Sequence, residues 1–226
     1  MNNTSPDNVT SWWWVRHAPV VGYDGVIYGS QDVPADTSNT EAYESLATGL
    51  PEDAVWVTSH LVRTHVTADA IGRAGLEHGN RLIENGLGEQ NFGEWQEMTY
   101  AEQDTHWREN HGEDTMHKFW YCPADHRPDG GESFVDMIER VSEVVHRMTE
   151  THRGQNIVAV AHGGTIRAAL AIALGLEPDR AFAFQTENLS TTRIDHVKGP
   201  GAGGDWRVAF INKRAGTKAP PSRQIA

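Results

Sequence analysis

The stretch Trp12-Trp13-Trp14-Val15-Arg16-His17 decides the reading of the fold, together with its later counterpart Ile157-Val158-Ala159-Val160-Ala161-His162-Gly163-Gly164-Thr165. Each is an apolar run of strand length that leads into a histidine. Continuous apolar runs suit the central strands of a parallel sheet, which are covered by helices on both faces. In open α/β sheets ligands collect beyond the carboxyl ends of the strands, so both histidines fall where chemistry is built. Arg16 adds a fixed cation whose fork of donors matches phosphate oxygens. Gly163 and Gly164 allow close backbone approach, and the helix-like stretch running on to Leu174 would offer free N–H groups to an anion. Either histidine alone reads as an ordinary structural or surface residue. It is the pairing of the two that points to a shared site.

The rest of the chain extends the pattern. Residues 54–59 read as a strand, and residues 61–74 as a helix with Arg63 and Thr67 near its start. An arginine in a first helical turn opposes the dipole unless an anion occupies that end, so Arg63 is expected at the same edge. Leu87-Gly88-Glu89-Gln90-Asn91-Phe92-Gly93-Glu94-Trp95 is a glycine-punctuated loop with an acid near its start and aromatic residues behind it. Glu89 is the candidate proton donor there, with Glu94 an alternative on chemistry alone. Residues 133–153 carry apolar side chains on one helical face, while 190–197 and 206–212 read as late strands split by a glycine-rich turn. Residues 100–128, rich in aromatics and histidines, fit neither period. They are expected either to form a partly helical cap over the catalytic edge or to be an irregular insertion. The fold class expected is a three-layer α/β/α domain with a mostly parallel central sheet, spanning residues 12–212 between a flexible arm (1–11) and a flexible tail (213–226).

With these residues in place, the chain resembles the histidine phosphatase superfamily, which includes cofactor-dependent phosphoglycerate mutases and acid phosphatases. Arg16-His17 resembles the family's Arg-His-Gly signature, Tyr28-Gly29-Ser30-Gln31-Asp32 its following glycine loop, and Ser59 to Ala68 its Ser-x-Leu-x-Arg-Ala-x-x-Thr-Ala segment. The loop from Glu89 to Trp95, Gly131-Glu132-Ser133 and His162-Gly163-Gly164 resemble the remaining motifs in the same order. Ala18 replaces the common glycine, His60 a frequent proline, and Gln96-Glu97 the usual Glu-Gly. None of these departures removes a chemical group, but they bear on the substrate pocket. The stretch from Tyr28 to Pro34 and the short Gly-Gly-Glu-Ser segment are most similar to phosphatases of the α-ribazole phosphatase type. Features of the mutases are missing: no Trp-Asn pair follows Arg16-His17, no Gly-Leu-Asn-Lys follows Trp95, and no Arg-Arg pair lies in the cap region.

The resemblance implies a phosphomonoesterase that passes through a phosphohistidine. His17 would be the nucleophile; a histidine of ordinary pKa, about 6.5, is largely neutral near physiological pH. Arg16, Arg63 and His162 would surround the equatorial oxygens, with Gly29 and Gly163 admitting the phosphate. Glu89, set among Phe92 and Trp95, would protonate the leaving alcohol and then act as base toward water. This set requires neither cofactor nor metal. Among the twelve histidines, His60 with His65 and His106 with His111 lack the i, i+4 spacing that chelates a metal from one helix face. A metal-dependent hydrolase, a mutase and a catalytically silent phosphate-binding protein are the alternatives to be tested.

Composition agrees with a small-molecule enzyme. A chain of 226 residues can bury a single substantial core. Its net charge of −12 argues against nucleic acid and anionic membrane as partners, and obliges the local arginines to attract phosphate against an unfavourable long-range field. The lone Cys122 cannot form an internal disulfide, which suits a reducing cytoplasm. The apolar run after Ser11 is too short for a signal-peptide core or a membrane span. Oligomeric state is not legible.

Overall fold

A computed structural model describes residues 9–112 and 115–215. The chain builds one six-stranded sheet of order β3-β2-β4-β1-β5-β6. Its strands are β1 (Val9–Arg16), β2 (Ala54–Thr58), β3 (Leu82–Ile83), β4 (Asn156–Ala161), β5 (Thr191–Val197) and β6 (Trp206–Lys213). β4 lies between β1 and β2 and runs parallel to both, β3 is parallel to β2, and β5 and β6 add an antiparallel edge. The helices are α1 (Thr40–Gly49), α2 (Val62–Arg73), α3 (Tyr100–His111), α4 (Phe134–Thr151), α5 (Gly163–Leu174) and the short α6 (Pro178–Ala181).

The two opening runs form the adjacent central strands, in register from Ser11 opposite Asn156 to Arg16 opposite Ala161. Because side chains alternate across a strand, β4 sends Ile157, Ala159 and Ala161 into one core with Trp12, Trp14 and the apolar faces of α4 and α5. Val158 and Val160 enter the other core with Val15, Trp56 and residues of α1 and α2. This division produces the three layers. Trp12 and Trp14 stack with centroids 4.8 Å apart, and Trp12 Nε1 donates to Thr149 Oγ1 of α4. Strand β1 is thereby tied to the helix layer as well as to its neighbours in the sheet.

Local signals set the helix limits. Ser133 caps α4 in a reciprocal box with Asp136, and Thr99 caps α3 in the same way with Glu102. α5 ends at Gly175, which takes the left-handed conformation. Two expected boundaries need correction. The arm does not extend to residue 11, because Val9 to Ser11 already pair with β5 and Ser11 also pairs with β4. The tail does not begin at 213, because Lys213 closes β6 opposite Thr191 and Ala215 packs on the second core. The remainder of both segments, 1–8 and 216–226, lies outside the described residues. Among the described residues of the segment 100–128, only Tyr100–His111 is α-helical. A third apolar cluster joins it to the acid loop through Ile27, Phe92, Trp95, Trp107 and Cys122. Burial pushes the Cys122 thiol up to about 12, so it is an inert packing group.

Candidate active site

The carboxyl ends of β1, β2 and β4 bring His17, Ser59 and His162 to one edge. The rings of His17 and His162 stand 5.2 Å apart between centroids, and both residues are fully buried. His17 Nδ1 lies 2.6 Å from the Ala18 carbonyl. A carbonyl can only accept, so the proton sits on Nδ1 and the lone pair on Nε2. That Nε2 is buried with no protein partner. Burial, with Arg63 and Arg16 nearby, holds His17 well below the ordinary histidine value, which keeps Nε2 unprotonated. The backbone around it is pinned: Thr67 Oγ1 accepts the Ala18 N–H at 2.9 Å, and Asn188 Nδ2 donates to the His17 carbonyl at 2.7 Å.

His162 takes the opposite tautomer. Its Nδ1 accepts from Arg63 Nε at 3.2 Å, so its Nε2–H donates to Ser59 Oγ at 2.8 Å. Burial and then Arg63 are the main causes that keep this ring neutral. Arg63 is fully buried in the first turn of α2. It also donates from Nη1 to Gln31 O at 2.6 Å and from Nη2 to Gly29 O at 2.7 Å, and it lies under the Tyr28 ring at 5.2 Å. The glycine loop therefore wraps the guanidinium. Gly29 has φ +41, and a Cβ there would come within 2.6 Å of Gln90 O, so no side chain fits at this crossing.

In front of these groups lies a cavity of about 210 Å³. Its walls include Arg16, Gly29, Glu89 and Gly163, aromatic side chains from Tyr28, Phe92, Tyr100, Trp120 and Tyr121, and Arg167. Of the residues expected at the site, Arg16, Gly29, Glu89 and Gly163 reach this wall, while His17, Arg63 and His162 stand behind it. The Tyr28 ring belongs to the wall and meets His17 edge-on at 6.5 Å. Arg16 shares this wall with Tyr28 and donates from Nη1 to Thr186 O. Other shallow clefts elsewhere on the surface bring none of these groups together.

Glu89 and Glu94, which chemistry alone left open, separate in space. Glu89 lines the cavity, with Oε1 accepting from Gln90 N at 3.0 Å and Oε2 from Gly164 N at 3.2 Å. Glu94 is exposed and faces His106 at 3.7 Å. Two expectations change here. An N–H at the start of α5, read as free for a ligand, is used by the protein's own carboxylate. Trp95 does not flank Glu89: it packs in the third cluster against Trp107 and stacks on His126, leaving Phe92 as the aromatic neighbour from that loop.

Several groups escaped sequence reasoning. Arg140 of α4 binds Glu132 through two nitrogens, Nε to Oε2 at 2.9 Å and Nη2 to Oε1 at 2.6 Å. It also donates to the carbonyls of Gly86, Gly88 and Glu89, and so grips the acid loop by its backbone. An available signal was its place two helical turns beyond the Gly-Glu-Ser motif. Asp32, quoted only as part of the glycine loop, accepts the Val62 N–H at 2.7 Å and so caps α2, whose N-cap residue Leu61 has no capping side chain. Tyr100, Trp120 and Tyr121 came from a segment without periodicity, so nothing marked them individually.

Fold and geometry together define an α/β protein with two neutral imidazoles, the buried guanidinium of Arg63, the half-buried one of Arg16 and one carboxylate converging on an anion-sized cavity. The chain belongs to the histidine phosphatase superfamily (branch 1), whose family model matches residues 12–209. A glucosyl-3-phosphoglycerate phosphatase of Mycolicibacterium vanbaalenii is 33% identical over 174 residues, covering 70% of this chain and 73% of that relative. A 2,3-bisphosphoglycerate-dependent phosphoglycerate mutase 2 of Gloeobacter violaceus is 31% identical over 146 residues, which span 63% of this chain and 64% of the mutase. Among solved structures, a mycobacterial glucosyl-3-phosphoglycerate phosphatase in complex with VO3 superposes with a TM-score of 0.71 at 25% identity, covering 90% of this chain and 98% of the other. No helix among the described residues is long and apolar enough to cross a membrane.

Proposed function

We propose that the protein is a phosphomonoesterase that hydrolyses a small phosphorylated metabolite through a phosphohistidine on His17. The observation that carries this reading is the buried, unprotonated and unpartnered Nε2 of His17 beside Arg16, Arg63 and His162. A purely structural histidine would have that nitrogen satisfied. The phosphoryl group enters the cavity lined by Arg16, Tyr28, Gly29 and Gly163. The Nε2 lone pair then forms a bond to phosphorus as the bond to the alcohol oxygen breaks, and protonated Glu89 gives its proton to that oxygen. The Ala18 carbonyl, already bonded to Nδ1–H, stabilises the positive charge that develops on the ring. In the second half Glu89 takes a proton from water, whose oxygen bonds to phosphorus as the N–P bond breaks. Inorganic phosphate leaves and both residues return to their starting states.

The positive charge needed for phosphoryl transfer comes from the guanidinium groups of Arg16 and Arg63, so the reaction proceeds without a metal. α-Ribazole phosphate, suggested by residues 28–34, and glucosyl phosphoglycerate, suggested by the mycobacterial relative, are the first substrates to try. Rapid quench with labelled substrate should trap an acid-labile, base-stable phosphoenzyme, which His17→Ala abolishes along with turnover. Retained phosphatase activity in a folded His17→Ala protein would sink the assignment. With 3-phosphoglycerate and catalytic 2,3-bisphosphoglycerate, phosphate release should exceed 2-phosphoglycerate formation; the reverse would make the protein a mutase. Dialysed enzyme should keep its rate in EDTA, and activity that needs added zinc or manganese would refute the metal-free mechanism.

A further inference from the structure

Arg167 is a cavity group that the mechanism above does not use. It lies in the second turn of α5, where a cation opposes the helix dipole. Its Nε donates to Phe184 O at 2.9 Å, and its guanidinium lies over the Trp120 ring at 4.8 Å. No carboxylate pairs with it among the described residues, and its two Nη nitrogens have no protein acceptor. They face the cavity. A Cβ built on Gly163 would lie 3.3 Å from Arg167 Nη1 and 3.5 Å from Arg16 Cζ, so the two cations flank one glycine.

Holding two guanidinium groups this close in a half-buried wall is unfavourable unless an anion comes between or beside them. Burial and then Arg16 bring Arg167 down to about 10. Arg167 lies on the aromatic side of the cavity, with its guanidinium over Trp120 and Tyr121 in the same wall.

We infer that Arg167 receives a second anionic group, a carboxylate or a phosphate, on the alcohol portion of the substrate. This rests on the phosphatase reading and narrows it: the preferred esters carry a fixed negative charge besides the phosphoryl group being transferred, with the carbon skeleton against the aromatic wall. Neutral-tailed esters lack a partner for this cation.

The test uses matched pairs that differ in that charge, 3-phosphoglycerate against glycerol 1-phosphate and fructose 1,6-bisphosphate against fructose 1-phosphate. The first pair reports on carboxylate and the second on phosphate. In the wild type, kcat/KM should favour the charged member of at least one pair. Arg167→Gln should lose at least about tenfold more on that member than on its neutral counterpart, the usual effect of removing a charge-assisted hydrogen bond. Arg167→Lys should recover part of the difference. Equal losses on both members would assign Arg167 to the transferred phosphoryl group and overturn the proposal, as would no loss on either. Calorimetric binding of the same pairs to His17→Ala, with and without Arg167→Gln, reads the preference without turnover. A wild type that hydrolyses nothing while this preference persists would defeat the phosphatase reading and sustain the second anion site; equal affinities would defeat the site.

Discussion

Glu89 and Gly164 depend on each other. The Gly164 N–H holds the carboxylate, and a Cβ on that glycine would collide with Glu89 Oε1 and reach within 3.2 Å of Met137 Cε. If Glu89 is the acid, Glu89→Gln should slow alkyl phosphates about a hundredfold or more, while p-nitrophenyl phosphate, whose phenolate leaves without a proton, loses far less. Gly164→Ala leaves the carboxyl group present but pushes it aside, so it should show the same leaving-group dependence in milder form. Steady-state kinetics on the two ester types checks both variants. Uniform losses would mean that the carboxylate positions substrate and does not protonate the leaving group. These two residues also differ in how readable they are. Glu89 was singled out from its loop with Glu94 left as an alternative on chemistry; their separation in space depended on which way the loop turned. That turn is fixed by Arg140, which lies far along the chain.

α4 is usually described by its apolar face, which fills the first core with Phe134, Met137, Val141, Val144, Val145 and Met148. Its other contribution is Arg140, a positioning residue that donates to the carbonyls of Gly86, Gly88 and Glu89 and does not itself line the cavity. Arg140→Lys keeps the charge but cannot keep the two-point grip on Glu132 or the set of carbonyl contacts. It should lower kcat on alkyl phosphates about tenfold with little change in KM, and should steepen the leaving-group dependence as Glu89 drifts. A loss confined to thermal stability, with an unchanged leaving-group profile, would reduce Arg140 to a structural tie. The elements themselves were legible because β1, β4 and α4 carry strong, unbroken apolar periods. His17, Arg16 and His162 were legible because they sit at the ends of β1 and β4, and Arg63 because it opens α2. Arg167, the aromatic wall and Arg140 were not. Arg140 and Arg167 lie inside helices, where charged residues are ordinarily solvent-facing, and only tertiary closure turns them inward.

The whole molecule keeps two imidazoles neutral in its interior, and this links stability to pH. In the native state His17 and His162 are held well below the ordinary value by burial and by Arg63 and Arg16. The unfolded chain takes up their protons near the ordinary histidine value of about 6.5. Below that pH the unfolded state binds more protons than the native one, so stability present at neutral pH is lost as pH falls, by about 1.4 kcal/mol per proton per pH unit. His60, His126 and His196 are shifted in the same direction. The midpoint of thermal unfolding should therefore drop between pH 7 and 5, and the double variant His17→Asn, His162→Asn should flatten part of that slope. A slope that the double variant leaves unchanged would place the linkage elsewhere. The sheet order has a different consequence, for a chain emerging from the ribosome. β1 is made first, yet both its neighbours, β4 and β5, come from the last third of the sequence, and Asn188, which pins the His17 carbonyl, is later still than His162. At roughly 5–20 residues per second, His17 waits many seconds on an unpaired apolar strand rich in tryptophan. That exposure makes β1 the segment most in need of a chaperone, and it means that a ribosome-stalled chain gains activity only after the β5 strand has cleared the exit tunnel.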